Sequence, residues 1–147
     1  MFKVQKKIIY AIEAVIDIAL NSGREPVQNE AIAKRQGIPK RYLEQTLQIL
    51  VKNKILVGSR GPKGGYSLAR ERRKIRISDI IKSVSNEEKN SSNFTSNLAK
   101  KIIIPLIEDI TDKCFVKLNC LSVEEVCKIA KEKNIQKKSS KKVDFVI

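Results

Sequence analysis

Apolar positions recur along this chain at helical spacing, except at one place where two short apolar runs flank a glycine-rich tip. Over residues 5–21, Ile8, Ile12, Val15 and Ala19 form one stripe and Ile9, Ile16 and Leu20 a second. Two apolar faces on one helix predict burial on two sides. Asn21-Ser22-Gly23 stops this helix, with Gly23 suited to a left-handed terminal position. A short helix is predicted from residue 28 or 29 to 35, with Ala31, Ile32 and Ala33 inward, and Gln36-Gly37-Ile38 as the turn after it. Pro39 has the fixed φ of a first helical position. Beyond it Leu43, Leu47, Leu50 and Val51 repeat at the i, i+4, i+7, i+8 spacing of a buried face. Ile55-Leu56-Val57 leads into Gly58-Ser59-Arg60-Gly61-Pro62-Lys63-Gly64-Gly65, and Tyr66-Ser67-Leu68 leads out, which is the pattern of a β-hairpin. Gly61, Gly64 and Gly65 are expected to supply positive φ values and Pro62 to stiffen the tip.

Downstream, residues 70–76 form a basic connector, and Ser78 is expected to N-cap a helix over 79–84. Residues 85–97 are polar and read as a loop. From about Thr95 to Asn119 the pattern is helical again, with Leu98, Ile102 and Leu106 on one stripe and Ile103, Ile107, Ile110, Cys114 and Leu118 on another. Pro105 either kinks this helix or opens its main part. Ser122-Val123-Glu124-Glu125 has capping-box spacing and starts a last helix to about Lys133. A polar basic tail follows over 136–142, and residues 143–147 are apolar enough to dock as a short strand. The predicted fold class is mainly α with a small β-hairpin wing. It has a winged helix-turn-helix head over 1–84, a loop over 85–97, a long dimerisation helix with a short capping helix over 98–134, and a basic tail over 135–147. The long apolar stripe exceeds what the head can cover, so pairing with a second copy is expected, and a two-fold dimer suits a palindromic site.

Charge sharpens this picture. The net charge is +14, and residues 39–76 hold eleven Lys and Arg against Glu44 and Glu71, a net +9. A face that binds a polyanion concentrates charge in this way. Arg41, Glu44, Gln45 and Gln48 lie opposite the apolar stripe of their helix and are side chains able to read base edges in a major groove. Lys34, Lys40 and Lys52 are candidate phosphate contacts. Arg60 or Lys63 is placed to reach an adjacent minor groove. The tip lacks the Gly-Lys-Ser/Thr ending of a nucleotide-phosphate loop. No apolar run approaches a bilayer span and no signal-peptide core is present, so a cytoplasmic location is expected, without membrane contact.

The chain has three cysteines and no histidine. Cys114, Cys120 and Cys127 lack Cys-x-x-Cys spacing, and their default reading is buried and structural. Cys120, beside the cap at Ser122, is the candidate redox sensor, since a reactive thiol needs exposure and a cation or helix N-terminus nearby. Metal held across a dimer interface is a third alternative. Without histidine there is no Ser-His or Cys-His pair and no histidine metal triad, so no enzyme is expected. Glu108, Asp109 and Asp112 share a helix face, and there they serve solvent exposure or pair with Lys113.

Ala11, Glu30-Ala31-Ile32-Ala33, Tyr42-Leu43-Glu44-Gln45, Leu50, the run from Ser59 to Leu68, and Ile77 with Asp79-Ile80-Ile81 together resemble the BadM/Rrf-two family of bacterial winged-helix regulators. The resemblance is dense over residues 3–84 and weaker but colinear over 105–130. It implies a dimer with a long crossing helix. It places Arg41, Tyr42, Glu44 and Gln45 in the major groove, and Arg60 with Gly61 and Pro62 at the minor groove. Cluster-binding members carry three closely spaced cysteines in a loop before the long helix. Residues 85–101 contain none, so those ligands do not transfer, and no iron–sulfur cluster or other cofactor is expected.

The function these observations imply is a dimeric, sequence-specific regulator on double-stranded DNA, with repression favoured. The alternative is an interaction module whose basic head binds an acidic partner. The signal is open among thiol oxidation, a regulatory partner protein such as an enzyme of sulfur metabolism, and a small molecule.

Overall fold

The computed structural model describes residues 4–85 and 94–135. The central element is α1, Lys6–Asn21, against which four of the later helices and the second strand of the hairpin pack. Its buried spine is Ala11, Ala14, Val15, Ile18 and Ala19, a run at i, i+3, i+4, i+7, i+8 in which the small alanines let neighbouring helices approach. The first expected stripe joins this spine through Val15 and Ala19; Ile8, Ile12, Ile16 and Leu20 are half-buried against the core, and Ile9 is 43% exposed. Asp17 is buried as well, on another side of the helix. Gly23 does not take a positive φ; the helix ends at Ser22, in extended conformation, with its N–H on the Ile18 carbonyl.

The second helix, α2, spans Asn29–Gln36 and buries Ile32 fully, while Ala31 and Ala33 are half-covered. Gly37 at φ 66° makes the turn. Then α3 spans Lys40–Lys52, with Leu43, Thr46, Leu47 and Leu50 buried. Pro39 sits one position earlier than predicted. Its ψ of 126° is extended and its carbonyl accepts the first helical bond, from Leu43 N–H at 2.9 Å, so it is the cap and not the first turn.

Strands β1, Leu56–Ser59, and β2, Gly65–Leu68, pair antiparallel with Leu56 opposite Leu68 and Ser59 opposite Gly65. Among the tip glycines, Gly61 has the strained φ of 104°. Gly64 does not have a positive φ, contrary to expectation. It is required by space, because a Cβ there would collide with the Ser59 carbonyl oxygen, and one on Gly65 would collide with that of Val27. Val27 adds a one-residue bridge on the other edge of β2 through paired bonds with Tyr66 of 2.9 and 2.8 Å.

A 3-10 turn at Arg72–Lys74 leads to α4, Ile77–Ser85. Ser78 is inside its first turn and not its cap. The hydroxyl is buried and donates to Asn119 Oδ1 at 2.9 Å, while the Asp79 carboxylate accepts from Arg76 N–H. The long helix resolves the two readings of Pro105. A π-helical turn over Ala99–Ile103 carries Ile104 N–H to the Ala99 carbonyl, and α5, Ile104–Cys120, continues directly from it. Proline lacks an N–H and its ring crowds the carbonyl four residues back, so a widened turn before Pro105 lets the helix pass through. No α5 residue is fully buried. Finally α6, Val123–Glu132, starts at a complete Ser122–Glu125 capping box. It folds back on the first 85 residues: Val123 N–H bonds the Ile75 carbonyl, Ile77 N–H bonds the Leu121 carbonyl, and Val123 and Cys127 enter the core beside α1. Among the described residues no helix is long and apolar enough to cross a membrane.

Candidate nucleic-acid interface

The apolar stripe of α3 fixes which of its side chains face outward. With Leu43, Leu47 and Leu50 in the core, Arg41, Tyr42, Glu44, Gln45 and Gln48 are exposed on the opposite side, beside Lys40 and Lys52. Tyr42 is 39% exposed and packs edge-on to Tyr10, ring centroids 5.5 Å apart, so its position is set by α1. The hairpin projects next to this face. A cleft of about 630 Å³ between the two is lined by Asn29, Gln48, Lys52, Ser59, Arg60 and Tyr66. The wing tip is tied to the start of α2, since Gln28 Nε2 donates to the Pro62 carbonyl at 3.3 Å. Lys34 is exposed on α2. Of the predicted residues the structure thus brings Gln48, Lys52 and Arg60 together at one cleft, with Pro62 tied beside it through Gln28, while Tyr42 packs against α1 and Lys63 faces Glu25.

Three acidic residues stand among these cations. Lys40 Nζ lies 2.7 Å from Glu30 Oε1, and this hydrogen bond and charge pairing hold the Lys40 pKa above and the Glu30 pKa below their ordinary values. Lys63 lies 3.5 Å from Glu25. Glu44 accepts from Asn29 Nδ2 at 3.2 Å. These partners were not legible in the pattern of the chain, because each links residues ten or more positions apart.

A second set of polar residues holds the reading unit in place. Asp17, with no side-chain exposure, accepts from Arg35 Nε at 2.9 Å, from a terminal Arg35 nitrogen at 2.7 Å and from Gln36 Nε2 at 2.7 Å. The pairing raises the Arg35 pKa. The sequence signal was an acid within the apolar run of α1, which once buried requires a cation partner.

Of the cysteines, Cys127 is buried, as expected, and desolvation raises its pKa despite a hydrogen bond with Arg72. Cys114 and Cys120 are exposed, so the buried reading fails for both. Both lie on α5, no residue of which is fully buried.

A helix-turn-helix followed by an antiparallel hairpin is the architecture of winged-helix transcriptional regulators, a class of DNA-binding proteins. Residues 4–129 match the Rrf2 family, described as iron-dependent transcriptional regulator. The chain belongs to this family. The curated HTH-type transcriptional regulator IscR of Sodalis glossinidius is 43% identical over 75 residues, covering 51% of this chain and 46% of that protein. IscR of Escherichia coli strain K12 / DH10B matches at the same identity over the same shares. The chain therefore spans about half the length of the curated relatives it matches. Among solved structures, T. potens IscR is similar with a TM-score of 0.73 at 32% identity, covering 90% of both chains. CymR, the global cysteine regulator of B. subtilis, gives 0.66 at 26% identity, covering 88% of this chain and 98% of that one.

The family's description raises the question of iron. The donors on this chain do not fit a cluster held by one subunit. There is no histidine, Cys127 is packed in the core, and Cys114 and Cys120 are six positions apart along one helix, about 9 Å of rise. Among the described residues no group of three or more Cys, Asp or Glu is arranged to hold a metal ion.

Proposed function

We propose that this chain is a cytoplasmic, dimeric regulator that binds a palindromic operator in double-stranded DNA, represses from it, and carries no iron–sulfur cluster. The observation that carries the reading is the juxtaposition of Gln48 and Lys52 of α3 with Arg60 of the wing across one cleft, within the segment that holds net +9. In the proposed complex the N-terminal part of α3 enters the major groove, with Arg41, Tyr42, Glu44, Gln45 and Gln48 toward base edges. Arg60, with Gly61, Pro62 and Lys63, meets the adjacent minor groove, and Lys34, Lys40 and Lys52 contact phosphates.

Dimerisation is supported by the long helix. Leu98, Ile102, Ile103, Leu106, Ile107 and Ile110 are each between 45% and 60% exposed in the single chain. A run of this kind on one element marks an interaction surface. A second copy of the same helix covers it and sets two heads against two half-sites. Cys120, exposed at the end of α5, remains the thiol proposed to sense oxidation; a regulatory partner protein is the alternative route for the signal.

The test is selection from a random duplex library with reduced protein purified anaerobically, its absorbance spectrum recorded first. A colourless protein that enriches an inverted repeat supports the proposal. Binding without sequence preference favours an interaction module with an acidic partner, and a brown protein refutes the cluster-free reading.

A further inference from the structure

We infer that Asn29, the first residue of α2, tunes the base preference of α3 by fixing the carboxylate of Glu44. The inference rests on the proposal that α3 reads bases. Asn29 Nδ2 donates to Glu44 Oε1 at 3.2 Å, joining two helices across fifteen positions of sequence. The other end of the same amide is in an unusual state: Asn29 Oδ1 is buried and has no hydrogen-bond partner among the described residues.

These two facts explain each other. Rotating the amide by half a turn would place Oδ1 against the Glu44 carboxylate, acceptor facing acceptor. An ionised Glu44 therefore dictates which way the amide points, and the buried carbonyl is left unsatisfied as the consequence. Asn29 itself lines the cleft, and a buried polar atom left without a partner there calls for an explanation that the contact with Glu44 supplies.

The effect on Glu44 is specific. A free glutamate at this exposed position samples several rotamers, and its charge is repelled by the DNA backbone. With Oε1 engaged by a neutral donor, the carboxylate keeps its charge and its remaining lone pairs point from one place, ready to accept from a single base donor such as the cytosine amino group. The neighbouring cation does not do this: Lys40 makes its hydrogen bond to Glu30 at 2.7 Å. Asn29 is thus a positioning residue that acts through Glu44, and its removal changes which sequences are preferred rather than how strongly DNA is held.

The experiment compares the full chain with Asn29→Ala, Glu44→Ala and the double variant by selection from one random duplex library, with thermal melts as a control for folding. Asn29→Ala is expected to lose discrimination at the operator positions that Glu44→Ala affects, by about threefold to tenfold, a part of what a good base contact supplies. In the Glu44→Ala background the same change should add nothing. Asn29→Asp, which replaces the donor by a second carboxylate, should alter preference at those same positions. A purely structural role would lower affinity for every sequence alike and would persist in the double variant, and that outcome overturns the inference. So does an Asn29→Ala protein with intact preference when Glu44→Ala has changed it. If Glu44→Ala itself leaves preference unchanged, the reading of α3 falls and this inference with it.

Discussion

The clamp between Asp17 and Arg35 yields the sharpest prediction about stability. Arg35→Ala removes two of the three hydrogen bonds to a carboxylate that has no solvent exposure and leaves Gln36 Nε2, at 2.7 Å, as its remaining partner. Taking one member out of a buried ion pair costs about 3–5 kcal/mol, because the other charge stays buried. The lower end applies here, since the Arg35 side chain is 27% exposed and water can enter the space it vacates. A loss of about 3 kcal/mol is large against the ~5–15 kcal/mol that holds a domain folded. At roughly 2–4 °C per kcal/mol for a chain of this size, the melting temperature should fall by about 10 °C. Urea unfolding followed by far-UV circular dichroism at pH 7, at one fixed protein concentration, measures it. The companion measurement is Arg35→Ala in an Asp17→Ala background. There is then no carboxylate to strand, and the arginine change should cost less than about 1 kcal/mol. If Arg35→Ala costs under 1 kcal/mol in the native background, or the same in both backgrounds, the clamp is not what orients α2 on α1.

Four other outcomes are expected. Arg60→Ala should weaken duplex binding across sequences and reduce the slope of log K against log salt by about 1, as measured by fluorescence anisotropy over a salt series. Ile107→Asp, at a position 45% exposed in the single chain, should convert a dimer to monomer in analytical ultracentrifugation without lowering the helix content of the head. Ser122→Ala should cost about 1 kcal/mol in urea unfolding through loss of the α6 cap. Its partner Glu125 has a pKa lowered first by the Ser122 backbone N–H and then by the hydroxyl. That contribution is present above the unfolded glutamate value and is lost as pH falls through the lower folded one, so Glu125→Gln should flatten the acid limb of the stability profile.

The elements that could be read from the chain are those whose determinants are local. The spacing of Leu43, Leu47 and Leu50, the capping box at Ser122, and the hairpin around Arg60 each lie within one element or its tip, and each is found where it was expected. What could not be read depends on distant neighbours. Gly64 looks like a turn glycine and is instead squeezed against the Ser59 carbonyl. Ser78 has the residue type of a cap and is buried under Asn119, forty-one positions away. Val27 gives no strand signal because its one-residue bridge depends on Tyr66. The burial of Val123 and Cys127 beside α1 follows from the paired backbone bonds of Ile75, Ile77, Leu121 and Val123, which no pattern of side chains encodes.

The same distinction governs the interface. Charge counting locates the basic segment but treats its acids as subtractions, whereas the structure gives them positions. Glu30 and Glu25 each hold a lysine, Lys40 and Lys63, from an element other than the lysine's own. Both pairs are exposed and screened by water, so in the proposed complex a phosphate, with a released counterion, displaces the carboxylate at small cost. Such pairs hold long side chains near their working positions before DNA arrives and thereby reduce the entropy lost on binding. Among the described residues Glu44 has no cation at hydrogen-bond distance, and it is held by the Asn29 amide. A carboxylate that a phosphate cannot relieve of its partner keeps its charge in the bound state, where it penalises every base that offers it no donor. In the proposed complex the acids around the basic face thus divide into two that surrender their lysines to the backbone and one kept to discriminate.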